Sequence, residues 1–103
     1  MIETLNALAE PNRLAIVEVL RGGPRSVNDI VGELGLRQPL VSKHLKVLSE
    51  AGVVSARVDA QRRIYRVEPE RFHEIDGWLD SFAAIWSDRL DRLDDHLRGK
   101  ELS

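Results

Sequence analysis

Residues 26–52 read SVNDIVGELGLRQPLVSKHLKVLSEAG, and this stretch decides the fold. Ser26 is placed as a helix N-cap, its hydroxyl available to an early backbone amide, and Asp29 sets a negative charge near the positive helix end. Val27, Ile30, Val31 and Leu34 then supply a buried stripe. Gly35 ends that helix as a left-handed residue would, and Leu36 follows as the apolar plug that anchors the turn. A second helix begins at once. Pro39 suits its first turn, where a missing amide proton costs little, and Val41, Leu45 and Leu48 recur at spacings of four and three before Gly52 closes it.

Turning Val41, Leu45 and Leu48 inward leaves Pro39, Lys43, Lys46 and Glu50 opposite, with Gln38, Ser42 and Val47 on the flanks. Two short helices, a glycine turn and a polar, basic second helix make the layout of a helix-turn-helix DNA reader. Gln38 has the amide geometry to bond an adenine edge, Lys43 can reach a guanine or a phosphate, and Ser42 is a short donor or acceptor. Arg37 and Lys46 add positive charge on the same helix. The competing reading is the solvated face of an ordinary bundle helix. The next segment moves the balance towards DNA.

In VVSARV (53–58), Val54, Ala56 and Val58 fall on one side, and in RIYRV (63–67), Tyr65 and Val67 do, both at the period of a half-buried strand. The tip DAQR lies between them. Arg57, Gln61, Arg62, Arg63 and Arg66 crowd the tip and outer face of this hairpin, directly after a recognition-like helix. The expected fold is therefore mainly α with a small β-hairpin, a winged helix-turn-helix. It is read as one domain over 1–103, with the helix-turn-helix at about 26–52, the wing at about 53–67 and a C-terminal dimerisation helix at about 69–98.

At these residues the chain resembles the ArsR-type winged-helix repressors of bacteria and archaea. The resemblance runs from about residue 5 to residue 97 and is carried by LAEPNRLAIVEVL (8–20), QPLVSKHLKVLSEAGVV (38–54) and RRIYRV (62–67). It implies a homodimeric, often autoregulating repressor that binds double-stranded DNA at an inverted-repeat operator. By the family pattern Gln38, Ser42, Lys43 and His44 fall on the reading helix and Arg62 and Arg63 on the wing. His44 projects closer to the buried stripe than to the exposed face, which leaves both a packed imidazole and a phosphate contact open. Two departures stand out: the tip DAQR lacks the usual glycine, and Val31 stands where a smaller residue is usual.

The net charge of −2 is unevenly distributed. Residues 37–66 hold seven Lys/Arg against two Asp/Glu, residues 1–36 three against five, and residues 67–103 five against ten. A basic block confined to helix and wing is a focused electrostatic footprint for nucleic acid. With 103 residues, 43% hydrophobic and 31% charged, the chain reads as one soluble domain, without a membrane span or signal peptide, and is expected in the cytoplasm.

The acidic C-terminal third carries Phe72, Ile75, Leu79, Phe82, Trp86, Leu90, Leu93 and Leu97 in steps of three and four. Such a seam predicts one helix about 40 Å long at 1.5 Å per residue, too long for a small domain to cover. It is read as the dimer interface, with Leu5 and Leu8 of an amphipathic N-terminal segment, also bearing Ile2, packing beside it. Gly77 interrupts this helix beside Trp78, and a ligand pocket near Trp78 and Trp86 is conceivable, although aromatic residues at this spacing are more often core. The run FAAIWSDRLDRLDDHL (82–97) resembles a metal-independent branch of the family, often encoded beside START-like or polyketide-cyclase-like proteins.

No cysteine is present, so thiolate sites for soft metals and dithiol switches are excluded. His73 and His96 are 23 residues apart and could meet only across an antiparallel dimer; no metal or cofactor is expected. Nor does any constellation support catalysis: there is no phosphate-cradling glycine loop and no glycine-flanked serine. The rival to a DNA-binding repressor is a protein-interaction winged-helix module, or an anti-repressor with little operator affinity. No residue pattern names an inducer or an operator sequence.

Overall fold

The computed structural model describes residues 1–85 and 87. In chain order the elements are α1 (Ile2–Leu8), α2 (Pro11–Leu20), β1 (Arg25–Ser26), α3 (Val27–Leu34), α4 (Gln38–Glu50), β2 (Val54–Asp59), β3 (Arg62–Val67) and α5 (Pro69–Asp80). They form a winged helix-turn-helix, mainly helical with one small antiparallel sheet in the order β1-β3-β2. The chain divides into two compact units, Met1–Phe72 and a second that begins at His73.

Local chemistry sets each helix end in the first unit. The Glu10 carboxylate caps α2 by accepting from the Arg13 amide at 2.8 Å, with Pro11 in the first turn. Arg13 also closes α1, donating from Nε to the Ala7 carbonyl at 2.7 Å. At α3, Ser26 and Asp29 form a reciprocal capping box: the Asp29 amide donates to Ser26 Oγ at 3.1 Å and the Ser26 amide to the Asp29 carboxylate at 3.2 Å. Gly35 ends α3 at φ 67°, ψ 23°, the left-handed conformation its position predicts.

Ile16, Ile30, Val41, Leu45, Leu48 and Val53 are fully buried and form one cluster with Ala7, Val17, Leu20, Val54 and Tyr65. The inward stripe of α4 is thus the one its spacing predicts. Val31, large for its place, packs partly buried against the same cluster.

The sheet differs from the expected hairpin in three ways. Arg25 pairs with Tyr65 and Ser26 with Ile64, so a two-residue strand lies on the far side of β3. The hairpin turn is only Ala60–Gln61, because Asp59 and Arg62 are already paired; Ala60, standing where glycine is usual, has φ 56°. Burial extends only as far out as the Arg57–Ile64 pair. Val54 is buried, but Ala56 is exposed and Val58 is 73% exposed, whereas Ile64, on the face opposite Tyr65, is buried. Strands β2 and β3 reach past the core, and among the described residues none covers their outer ends.

The single helix expected over 69–98 is broken within the described residues. After Asp80 the chain turns at Ser81–Phe82 and is helical again at 83–85. The Phe82 amide donates to Leu79 O at 3.0 Å, and Ser81 Oγ donates to Trp78 O at 2.5 Å, a local bond that competes with the helical ladder. Gly77 lies inside α5, where a β-carbon would meet no other side chain within 4 Å among the described residues.

Candidate nucleic-acid interface

With one face of α4 sealed in the core, its other side carries Arg37, Gln38, Lys43 and Lys46 to solvent, with Ser42 half-buried. Between α4 and the wing opens a cleft of about 700 Å³. Six of the residues singled out in the sequence line it: Gln38, Ser42 and Lys46 from the helix, and Gln61, Arg62 and Arg63 from the wing. Arg37, the N-cap of α4, and Lys43 on the helix are exposed outside the cleft. Gln38 Nε2 donates to Ser42 Oγ one turn on at 3.3 Å, which orients the amide along the helix. Inside the cleft are also Ser26, Val27, Asn28, Ser49 and Tyr65, which sequence reasoning did not assign to it. Only their neighbours' charge pointed there; short polar side chains carry no periodic signal.

His44 is not part of this surface. It is 8% exposed, and its Nδ1 lies 3.7 Å from the Glu10 carboxylate with no hydrogen-bond partner among the described residues. The cause is helical geometry: His44 sits one step from Leu45 and three from Val41, so the imidazole turns towards the N-terminus of α2.

Charge on the wing is graded. Arg66 Nε is 3.2 Å from Glu68 Oε1 and 3.3 Å from Ser55 Oγ, so this cation is committed at the wing's base. Glu68 is held below the usual carboxylate range, first by the Ser55 hydroxyl donating to it and then by the Arg66 charge and hydrogen bond. Asp29 is likewise lowered, first by the Ser26 hydroxyl and then by the Ser26 amide, with the nearby charges of Arg62 and Arg25 adding to it. Arg25 itself pairs with Glu33 at 3.0 Å.

The residues expected at a dimer interface divide. Leu5 is exposed, and so is its neighbour Ile2, while Leu8 and Phe72 pack against the core of their own unit, because each sits at the end of a helix beside that cluster. Leu79 is exposed; Phe82 is half-buried in an edge-to-face contact with Trp78, ring centroids 5.2 Å apart. Trp86, Leu90, Leu93 and Leu97 lie outside the described residues, as does His96 of the conceivable metal pair. Among the described residues, no group of three His, Cys, Asp or Glu could hold a metal ion, and no helix is long and apolar enough to cross a membrane.

A family model described as "Bacterial regulatory protein, arsR family" matches residues 10–56. An HTH-type transcriptional regulator of Mycobacterium tuberculosis is 41% identical over 76 residues, which cover 74% of this chain and 71% of that protein. The chain belongs to the ArsR family. That is a class of transcriptional regulators and not of enzymes. Another member, the HTH-type transcriptional repressor SmtB of M. tuberculosis, is 48% identical over 88 residues, 85% of this chain and 64% of that protein. The match thus spans less than two thirds of the length of this curated relative. Among solved ArsR-family structures, the homodimeric winged helix-turn-helix DNA-binding domain of a possible regulator from Mycobacterium bovis superposes with a TM-score of 0.66 at 29% identity, covering 81% of this chain and 77% of that one.

Proposed function

We propose that this chain is a homodimeric, sequence-specific DNA-binding repressor that acts in the cytoplasm on an inverted-repeat operator, most simply that of its own gene. In this reading α4 enters the major groove, where Gln38 and Lys43 meet base edges. Arg62 and Arg63 grip flanking phosphate or minor groove. Two reading helices related by a two-fold axis would then match two half-sites. The observation that carries the proposal is the cleft in which Gln38, Ser42 and Lys46 face Gln61, Arg62 and Arg63. Among the described residues Arg62 and Arg63, next to the tip, form no ion pair, whereas Arg66 at the base is paired with Glu68. Relatives named as repressors, and a homodimeric neighbour named as a DNA-binding domain, support the same reading. The lack of cysteine argues that release does not depend on a thiolate metal site.

The deciding experiment is selection of duplexes from a random pool by the purified protein at moderate salt, with and without a chelator. Recovery of one inverted repeat, indifferent to chelator, is expected, with log affinity falling against log salt at about 0.9 per phosphate neutralised. Failure to bind any duplex at low salt would put a protein-interaction role in its place. Sedimentation of the Leu79→Glu variant tests the interface, with a shift from dimer to monomer expected.

A further inference from the structure

The cleft contains a polar group that neither base reading nor the arginine grip employs. Tyr65 is 8% exposed and belongs to the core cluster, yet it lines the cleft. Its hydroxyl has no hydrogen-bond partner among the described residues and, unlike His44 Nδ1, is not sealed from solvent. Phenylalanine would fill the same core space, so packing does not require the hydroxyl, which is left open to a partner from the cleft. The same cleft is lined by neutral donors, Asn28 from α3 and Ser49 from α4, and by the cations Arg62 and Arg63. A ligand that accepts several hydrogen bonds and carries negative charge fits this set, and a DNA backbone phosphate is such a ligand.

We infer that Tyr65 is a positioning residue that seats one backbone phosphate of the duplex in the cleft between α4 and the wing. The inference rests on the DNA-binding reading above and deepens it. The hydroxyl donates to a non-bridging phosphate oxygen, with Asn28 and Ser49 completing the seat. Because β3 carries Tyr65 in the core while its neighbours Arg62 and Arg63 reach out along the wing, this contact registers the duplex against the rigid part of the fold. It reads no base, since phosphates are alike in every sequence.

The test is Tyr65→Phe, which removes one oxygen, measured against the duplex recovered by selection and against an unrelated duplex of equal length. Both affinities should fall about tenfold, as for one lost hydrogen bond to a charged group, with the salt slope unchanged because no protein charge is lost. Replacing the phosphates one at a time by methylphosphonate should reveal one position per half-site where the loss and that of Tyr65→Phe are not additive. Ser49→Ala, at an exposed position, should show a smaller loss at the same phosphate and keeps the test available if Tyr65→Phe folds poorly. Wild-type affinity in folded Tyr65→Phe, or additivity at every phosphate, would overturn the seat while leaving DNA binding intact. A wild-type protein that binds neither duplex would remove the DNA-binding reading itself.

Discussion

Helix α4 and the wing line one cleft but are anchored differently in the core. In α4 three side chains, Val41, Leu45 and Leu48, are fully buried, so its outward residues are fixed in angle as well as position. In the two strands of the wing Val54, Ile64 and Tyr65 are buried, none of them beyond the Arg57–Ile64 pair, and Val58, one pair nearer the tip, is 73% exposed. Bidentate hydrogen bonds to base edges are lost when their angle drifts, whereas Coulomb attraction falls off slowly with distance. The fold puts the Gln38 amide on the stiff element and Arg62 and Arg63 on the compliant one.

The largest effect should come from breaking the stiff side. Leu45→Ala is expected to cost about 2–5 kcal/mol in urea unfolding, whereas Val58→Ala should stay within about 0.5 kcal/mol. Similar losses for the two would erase the contrast. Next, Gln38→Ala should cost about 1–3 kcal/mol at one operator position and relax specificity there. Arg62→Ala should instead weaken binding to all sequences and lower the salt slope by about 0.9. Sequence-independent losses from both would show that helix and wing do not divide reading from gripping.

A smaller effect sharpens the compliant side. Ala60→Gly removes a side chain from a left-handed position and should raise stability by about 0.5–1 kcal/mol, seen as a higher Tm. The smallest concerns acid. Asp29, at the start of α3, and Glu68, at the base of the wing, both have folded pKa values below their unfolded ones. Their contribution is therefore complete above the usual carboxylate range and is lost as pH falls through that range to the lower folded values. Asp29→Asn and Glu68→Gln should each flatten the acid limb of the stability curve in pH-jump denaturation, the former without loss of the cap.

Helices α3 and α4 were legible because a start signal, the Ser26 cap in one and Pro39 in the other, a glycine at the end and a sustained apolar period agree on the same boundaries. Strand β1 was not, since two residues have no period, and its existence follows from the pairing of β3. Alternation predicted an apolar face through Ala56 and Val58, but a pattern gives the side on which a residue lies and not whether anything packs there. The same limit applied at Phe72 and Leu8, which satisfy a seam and yet serve their own core. At the site, charge was legible and uncharged depth was not: Arg62, Arg63 and Lys46 announced the surface, while Asn28, Ser49 and Tyr65 were brought to it by folding.

The two-residue strand β1 turns the wing into a cantilever. Strand β3 is bonded on one side along its whole length, from Arg62 against Asp59 to Val67 against Val54, but on the other only at Ile64 and Tyr65. That clamp divides the hairpin into a root that opens with the fold and a tip that breathes alone, so amide exchange should quicken from Tyr65 towards Ala60. Extra residues at Ala60–Gln61 would lengthen the arm without loosening its root, giving the lineage a dimension in which reach over the duplex can change while the mounting stays the same.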